Sequence, residues 1–317
     1  MKYLVTGGAG FIGSHIARRL VDGGHEVWVV DNLSTGKRQN IPDSGRFLEA
    51  DISRADFVSA LPRIRFDAVL HLAAQSSGEI SHENPAYDLM TNAFGTLQLL
   101  RWCQDHSVPH FLYASSMAVY GLVDEFPVRE DLKCEPSSFY GITKLAGEHY
   151  VRRFQSERLR TTVFRMFNVY GPGQNLVNMK QGMVSIYLAY VLAGEKLQVR
   201  GSKDRFRDFV YIDDVVDAWT AALNRPQSWG KTYNLGSGRQ TYVWELIDEL
   251  LVAFGHVAKT YPVEYGASTP GDQFGIYADI SRIRHDLRWE PQTDLETGLS
   301  RMVRWARSDS STTQTRG

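Results

Sequence analysis

Tyr140 and Lys144, in the run Tyr140-Gly-Ile-Thr-Lys144, are spaced for proton transfer. On a helix, side chains four positions apart share a face, so the lysine ammonium stands beside the phenol. A cation there favours the phenolate and lowers a pKa that starts near about 10. Such a tyrosine serves as a general acid or base at neutral pH. Upstream, the apolar run His110–Ala114 ends in Ser115-Ser116. Hydroxyls at the carboxyl end of a parallel strand face a ligand crevice. Ser116, Tyr140 and Lys144 are therefore expected to form one proton-handling set.

The chain opens with a second chemistry. An apolar segment, Tyr3–Val5, runs into Thr6-Gly7-Gly-Ala-Gly10-Phe-Ile-Gly13, and an amphipathic helix is expected over Phe11–Val21, with Ile12, Ile16 and Leu20 on one face. A second apolar segment, Val27–Val30, ends in Asp31. Strand, glycine turn, helix, strand and acid in this order form a dinucleotide site. Gly7 permits the tight turn, Gly10 lets backbone approach a pyrophosphate, and Gly13 lets helix and strand pack closely. Free N–H groups at the helix N-terminus favour the phosphates. Asp31 accepts from the ribose hydroxyls and repels a 2′-phosphate, so NAD is expected rather than NADP.

These groups need a scaffold, and the chain supplies a repeating one. Strands are expected at Arg46–Ala50, Ala68–Leu72, His110–Ala114 and Thr161–Phe167, with helices at Ala55–Leu61, Asn92–Gln104 and Tyr140–Phe154. Repeated βα units mean an α/β fold built on a doubly wound parallel sheet of Rossmann type. After Asn168 the loops lengthen. Helices are expected at Gln181–Gly194, Tyr242–Phe254 and Leu295–Ala306, and short strands at Leu197–Arg200, Lys231–Leu235 and Tyr277–Ala278. The division expected is residues 1–168 for the dinucleotide, with a later return at about 208–236, and 169–307 as a smaller C-terminal α/β lobe for the second ligand. The Ser/Thr-rich tail 308–317 is expected to be disordered.

The 317 residues are 43% hydrophobic and carry a net charge of −1, which gives no electrostatic case for nucleic acid or a membrane surface. No apolar run spans a bilayer. The chain enters its first strand at once, leaving no room for a secretory leader, so a cytoplasmic protein is expected. Its two cysteines, Cys103 and Cys134, suit reduced thiols, and no metal site is expected.

Taken together, Thr6–Gly13, Asp31-Asn-Leu-Ser34, Asp51-Ile52, His71-Leu-Ala-Ala74, Asn92, Ser115-Ser116, Tyr140-x-x-x-Lys144, Phe167–Pro172, Arg207–Asp214, Pro270-Gly-Asp272 and Ala278-Asp279 resemble the extended short-chain dehydrogenase/reductases that act on nucleotide sugars. The resemblance runs from about Lys2 to Trp305. It implies NAD held by Gly7, Gly10, Phe11, Ile12 and Asp31, with Asn32, Ser34 and Gly36 at its ribose and Asp51 and Ile52 at the adenine. Leu72, Ala73 and Ala74 would lie along the nicotinamide half, and Lys144 on its ribose beside Tyr140. Asn168 and Arg207 would meet the diphosphate of a nucleoside-diphosphate sugar. A homodimer is implied, formed through helices Asn92–Asp105 and Tyr140–Gln155, with Trp102, Tyr150 and Phe154 as a partly exposed apolar strip. Precursors of surface polysaccharides are the implied setting.

The resemblance also bears on the reaction. Dehydratases of this kind carry an acid just after the catalytic hydroxyl, where this chain has Met117 and Ala118. The expected reaction is therefore epimerisation at C4 of a UDP-hexose: oxidation to a 4-keto sugar, rotation of the sugar, and return of the hydride to the other face. A 4,6-dehydratase or a 4-keto reductase is the alternative, and a cofactor-sensing protein without catalysis a remoter one. Three local features are unusual. Thr269 stands where resembling UDP-sugar epimerases have arginine. Glu79 is placed near the crevice, where it would repel a uronic acid. Gln174–Gln181 is expected to shape the sugar pocket.

Overall fold

The computed structural model describes residues 1–223, 225–267 and 273–314. Thr269 and Pro270-Gly-Asp272 therefore lie outside the described residues.

The first strand, β1 (Lys2–Thr6), leads through the glycine turn into α1 (Phe11–Asp22) and β2 (Glu26–Asp31). Then come β3 (Arg46–Glu49), β4 (Ala68–His71), the short helices α2 (Gly78–Glu83) and α3 (Pro85–Asp88), α4 (Gly95–Asp105), β5 (His110–Ser116), α5 (Phe139–Phe154) and β6 (Arg160–Met166). With a later strand, Lys231–Leu235, these strands form one parallel seven-stranded sheet, whose edge order is that late strand, then β6, β5, β4, β1, β2 and β3. The fold is a doubly wound α/β sheet of Rossmann type. Alternate side chains divide between its two faces. Tyr3 and Val5 join Ile16 and Leu20 of α1 on one side, and Leu4 joins Leu99 and Leu100 of α4 on the other. Both faces are covered, as a parallel sheet requires.

Beyond β6 lie β7 (Asn168–Tyr170), α6 (Met183–Leu192), β8 (Leu197–Arg200), β9 (Phe206–Arg207), β10 (Phe209–Tyr211) and α7 (Ile212–Ala222). The late sheet strand is β11, followed by β12 (Thr241–Tyr242), α8 (Val243–Ala253), β13 (Val263–Gly266), α9 (Ser281–Leu287) and α10 (Leu295–Gln314). Here the strands pair only two by two: β7 with β10, β9 with β12, β8 with β13. The core on the α1 side of the sheet continues without a break into this half, through Leu188, Leu246, Leu250, Leu299 and Met302.

Several expected elements differ. Ala55–Leu61 yields only a 3-10 turn, Phe57–Ala60, anchored by Phe57 and ended by Pro62. Tyr277–Ala278 is no strand; Ala278 makes a single bridge to Val128. The helix expected from Asn92 opens instead as a π-helical stretch, Leu89–Phe94, which turns Asn92 into a buried polar network. The tail expected to be disordered from Ser308 continues α10 to Gln314. Leu299, Met302, Val303 and Ala306 bury one face of that helix. Once packed, a helix extends at one hydrogen bond per added residue, and the Ser308 hydroxyl turns back onto the Trp305 carbonyl at 2.8 Å.

Candidate active site

The strand order reverses beside β1, between β4 on one side and β2 on the other, and ligands of open parallel sheets bind at such a point. A cavity of about 1080 Å³ opens there, lined from both halves of the chain. At one end it is walled by Gly7, Gly10, Phe11, Ile12, Asp31, Asn32, Ser34, Ile52, Leu72, Ala73 and Ala74.

Sequence explains this wall. Gly7 has φ +71°, and a Cβ on it would stand 2.6 Å from the Ala73 nitrogen. A Cβ on Gly13 would stand 2.1 Å from the Gly7 carbonyl oxygen, so only glycine lets α1 start this close to β1. Gly10 caps α1 with no side-chain hydrogen bond, leaving backbone N–H groups at the cavity. Asp31 is buried and accepts from the backbone N–H of Ala9 (3.0 Å) and Leu33 (2.8 Å). A bare helix N-terminus, a carboxylate at the end of β2 and apolar Val30 and Ile52 are a donor set that fits an adenine dinucleotide. Gly36 and Asp51 stand behind this wall. Gly36 packs on Ala9, and Asp51 accepts from the Ser53 hydroxyl (2.7 Å) and N–H (2.9 Å). Burial raises the Asp51 carboxyl, but the Ser53 hydrogen bonds outweigh it and hold the group below its usual range.

Ser116, Tyr140 and Lys144 meet in the middle of the cavity. Ser116 ends β5 and accepts from the Ala118 N–H at 3.2 Å, and its hydroxyl favours ionisation of the Tyr140 phenol. Tyr140 sits in the first turn of α5, whose N-cap is Ser138. Lys144 is 3% exposed; its ammonium donates to the Ala114 carbonyl at 2.8 Å and lies 5.2 Å from the Tyr113 ring centroid and 5.9 Å from that of Tyr140. The ionisation differs from expectation. Burial dominates at Tyr140 and pushes its phenol up to about 12, against the Ser116 hydrogen bond, while burial pulls Lys144 down to about 8. Burial, rather than the lysine charge, is the largest influence on the phenol.

Apart from Asn92, sequence reasoning did not single out the support beneath this set. Ser115 donates to Glu148 at 2.5 Å, and Arg165 grips the same carboxylate twice, at 2.9 and 2.8 Å. Asn92 joins Gln75, Asp88 and Thr143. The i+8 spacing of Tyr140, Lys144 and Glu148 was the available signal for the first group.

The other end of the cavity is lined by Asn168, by residues of the run Gln174–Gln181, and by Tyr187, Tyr190, Arg200 and Arg205. Met117 and Ala118 line it directly after Ser116. Glu79 reaches it already paired with Lys180 (3.3 Å) and Arg200 (3.4 Å). Arg207 does not line it. That side chain is buried and donates to the carbonyls of Phe206 (2.8 Å), Gln273 (2.6 Å) and Phe274 (3.2 Å).

Comparison with known proteins gives this arrangement its relatives. Residues 3–236 match the model of the NAD dependent epimerase/dehydratase family. A putative UDP-glucose 4-epimerase of Methanocaldococcus jannaschii is 35% identical, covering 98% of this chain and 99% of the relative. The UDP-glucose 4-epimerase of Thermotoga maritima, solved with UDP-glucose, superposes with a TM-score of 0.91 at 38% identity, covering 98% of this chain and 99% of that one. That of Thermus thermophilus, solved with NAD, gives 0.89 at 34% identity, covering 97% and 99%. With a glycine turn and Asp31 shaped for NAD and a Ser-Tyr-Lys set beside them, the chain belongs to the NAD-dependent epimerase/dehydratase family.

Proposed function

We propose that this protein interconverts the C4 epimers of a UDP-hexose, of the glucose and galactose type, through a transient 4-keto sugar. One observation carries the reading. The cavity wall after Ser116 is Met117 and Ala118, so the proton-handling set is Ser116, Tyr140 and Lys144 alone. Elimination needs a further carboxyl there, and epimerisation does not. The acids that do line the cavity are committed elsewhere: Asp31 to the dinucleotide end, Glu79 and Glu83 to Lys180.

Each residue then has a task. Gly7, Gly10, Phe11, Ile12, Asp31, Asn32 and Ser34 hold NAD, with Leu72, Ala73 and Ala74 along its far half, and Gly36, Asp51 and Ile52 shape that pocket. When bound, NAD supplies a reversible acceptor for the C4 hydride. Ser116 holds the C4 oxygen. Tyr140 takes the hydroxyl proton in the oxidation and gives it back in the reduction. Lys144, fixed by Ala114, keeps a positive charge beside the phenol. Asn168 serves the diphosphate, whereas Arg207, expected there as well, secures the carbonyls of Phe206, Gln273 and Phe274 instead. The second half of the chain, mainly residues 169–307, forms the sugar-nucleotide lobe.

We infer a homodimer paired through α4 and α5, whose Tyr150 is 36% exposed; Trp102, expected in that strip, is instead in the core. A cytoplasmic place and a role in polysaccharide precursors agree with this reading. Among the described residues, no helix is long and apolar enough to cross a membrane.

Proton NMR of the purified protein with NAD and UDP-glucose tests the proposal. The expected result is a galacto anomeric signal with no net NADH. A 4-keto-6-deoxy product, or stoichiometric consumption of NADH, would overturn it.

A further inference from the structure

Lys144 is a buried cation, and burial makes a counter-charge valuable. Two carboxylates draw it toward the ammonium form against burial: Asp88 first, then Glu148. Glu148 is already matched, gripped twice by Arg165. Asp88 is fully buried on α3, and its side-chain partners are all neutral. It accepts from Gln75 Nε2 at 2.7 Å, Asn92 Nδ2 at 3.2 Å and Thr143 Oγ1 at 2.5 Å. Thr143 immediately precedes Lys144 on α5, and Asn92 also donates to Thr143 Oγ1 at 3.1 Å. Burying a carboxylate is costly, and both hydrogen bonds and a nearby cation offset that cost.

We propose that Asp88 is a positioning residue of the proton-transfer site: its carboxylate balances the buried Lys144 ammonium and, through Thr143 and Asn92, ties α3 to the face of α5 that carries Tyr140. The inference rests on the transfer set assigned above.

The titratable groups around Lys144 are few. Tyr140 and Glu148 share its helix, Tyr113 faces it from β5, His71 from β4, and Asp88 from α3. Burial, with the Lys144 charge, pulls His71 down to about 3, so it is neutral at pH 7. Burial pushes Tyr113 far above its ordinary range. Of the two carboxylates acting on Lys144, Asp88 is thus the one that Arg165 does not already match. Asp88 also opposes ionisation of Tyr140, after burial.

Asp88→Asn removes the charge and keeps the shape. The new amide donates to Thr143 Oγ1, which gives its own hydrogen to the Tyr140 carbonyl, 3.1 Å away. Without the carboxylate, Lys144 loses its proton at lower pH, and Tyr140 ionises more easily. Both limbs of the kcat–pH profile are expected to move to lower pH, the alkaline limb by about one unit, with KM within about twofold. A lower plateau with both limbs unmoved would show a purely structural role and overturn the proposal. If the variant does not fold, the wild-type Lys144 Nζ is titrated by nitrogen NMR, its signal assigned by its loss in Lys144→Met. An ammonium at pH 7 supports the proposal, and a neutral amine overturns it. Tyr140→Phe is run alongside: retained activity there sinks the transfer set itself, whereas an inactive Tyr140→Phe with an unshifted Asp88→Asn sinks only the role of Asp88.

Discussion

Tyr140 and Lys144 show how far residue spacing reaches. The i, i+4 interval put both on one helical face, as expected. It could not tell that burial, rather than the lysine, dominates the phenol's ionisation. If Tyr140 carries the proton both ways, Tyr140→Phe should lower kcat by about 10²- to 10⁴-fold with KM nearly unchanged, read in a coupled assay for the C4 epimer. Arg207 poses a different question at this scale. Its guanidinium satisfies three backbone carbonyls inside the protein. Arg207→Met should therefore cost about 2–3 kcal/mol of stability by thermal melting, in addition to any rise in KM. A raised KM with an unchanged melting temperature would mean that the side chain serves the ligand alone.

Elements add constraints that no single residue states. The β1–α1 junction closes only because Gly13 has no Cβ to meet the Gly7 carbonyl. Gly13→Ala should lower stability by about 1–3 kcal/mol and weaken NAD binding, which isothermal titration would read. Across the cavity mouth, α2 faces β8 and the loop 174–182 through ion pairs. Glu79 meets Lys180 and Arg200, and Lys180 also meets Glu83. The repulsion of a uronic acid expected from Glu79 alone is thereby offset by two cations. Glu79→Gln leaves those cations in excess, so KM for UDP-glucuronate relative to UDP-glucose should fall several-fold. An unchanged ratio would place this carboxylate away from the sugar. Stability should change by less than about 1 kcal/mol, because the pairs are partly exposed.

The whole molecule stores its pH response in its core. His71 bridges Thr6 (2.6 Å) and Thr96 (2.9 Å) under the sheet, and His110 bonds Thr162 at 2.9 Å. Burial lowers His71 to about 3 and His110 to about 4. Both remain neutral in the fold, whereas the unfolded chain takes up their protons below about pH 6.5. The unfolded state then binds more protons, so stability is full above that pH and is lost as pH falls toward 4. Each histidine contributes about 1.4 kcal/mol per pH unit in that window. Denaturant melts at pH 7 and pH 5 should show the loss, and His110→Gln should reduce the slope. At the same scale, light scattering should give twice the chain mass, and Tyr150→Glu should shift it toward the monomer.

The sequence by itself determined the sheet, the dinucleotide turn and the Ser-Tyr-Lys set. Each rests on local rules: apolar runs of strand length, glycines where a Cβ has no room, and side chains four apart on a helix. Only the tertiary structure decided the rest. Asp88 and Glu148 read as ordinary acids until α3, α5 and β6 pack together, since neutral donors and a buried arginine reach them from distant parts of the chain. The inward turn of Asn92 depended on a π-helical stretch that no periodicity marks. Arg207 left the cavity wall, and Glu79 gained its cations, because burial and charge pairing belong to neighbours brought together by folding. The end of α10 went the same way, for a polar tail stays helical once the turns before it are packed.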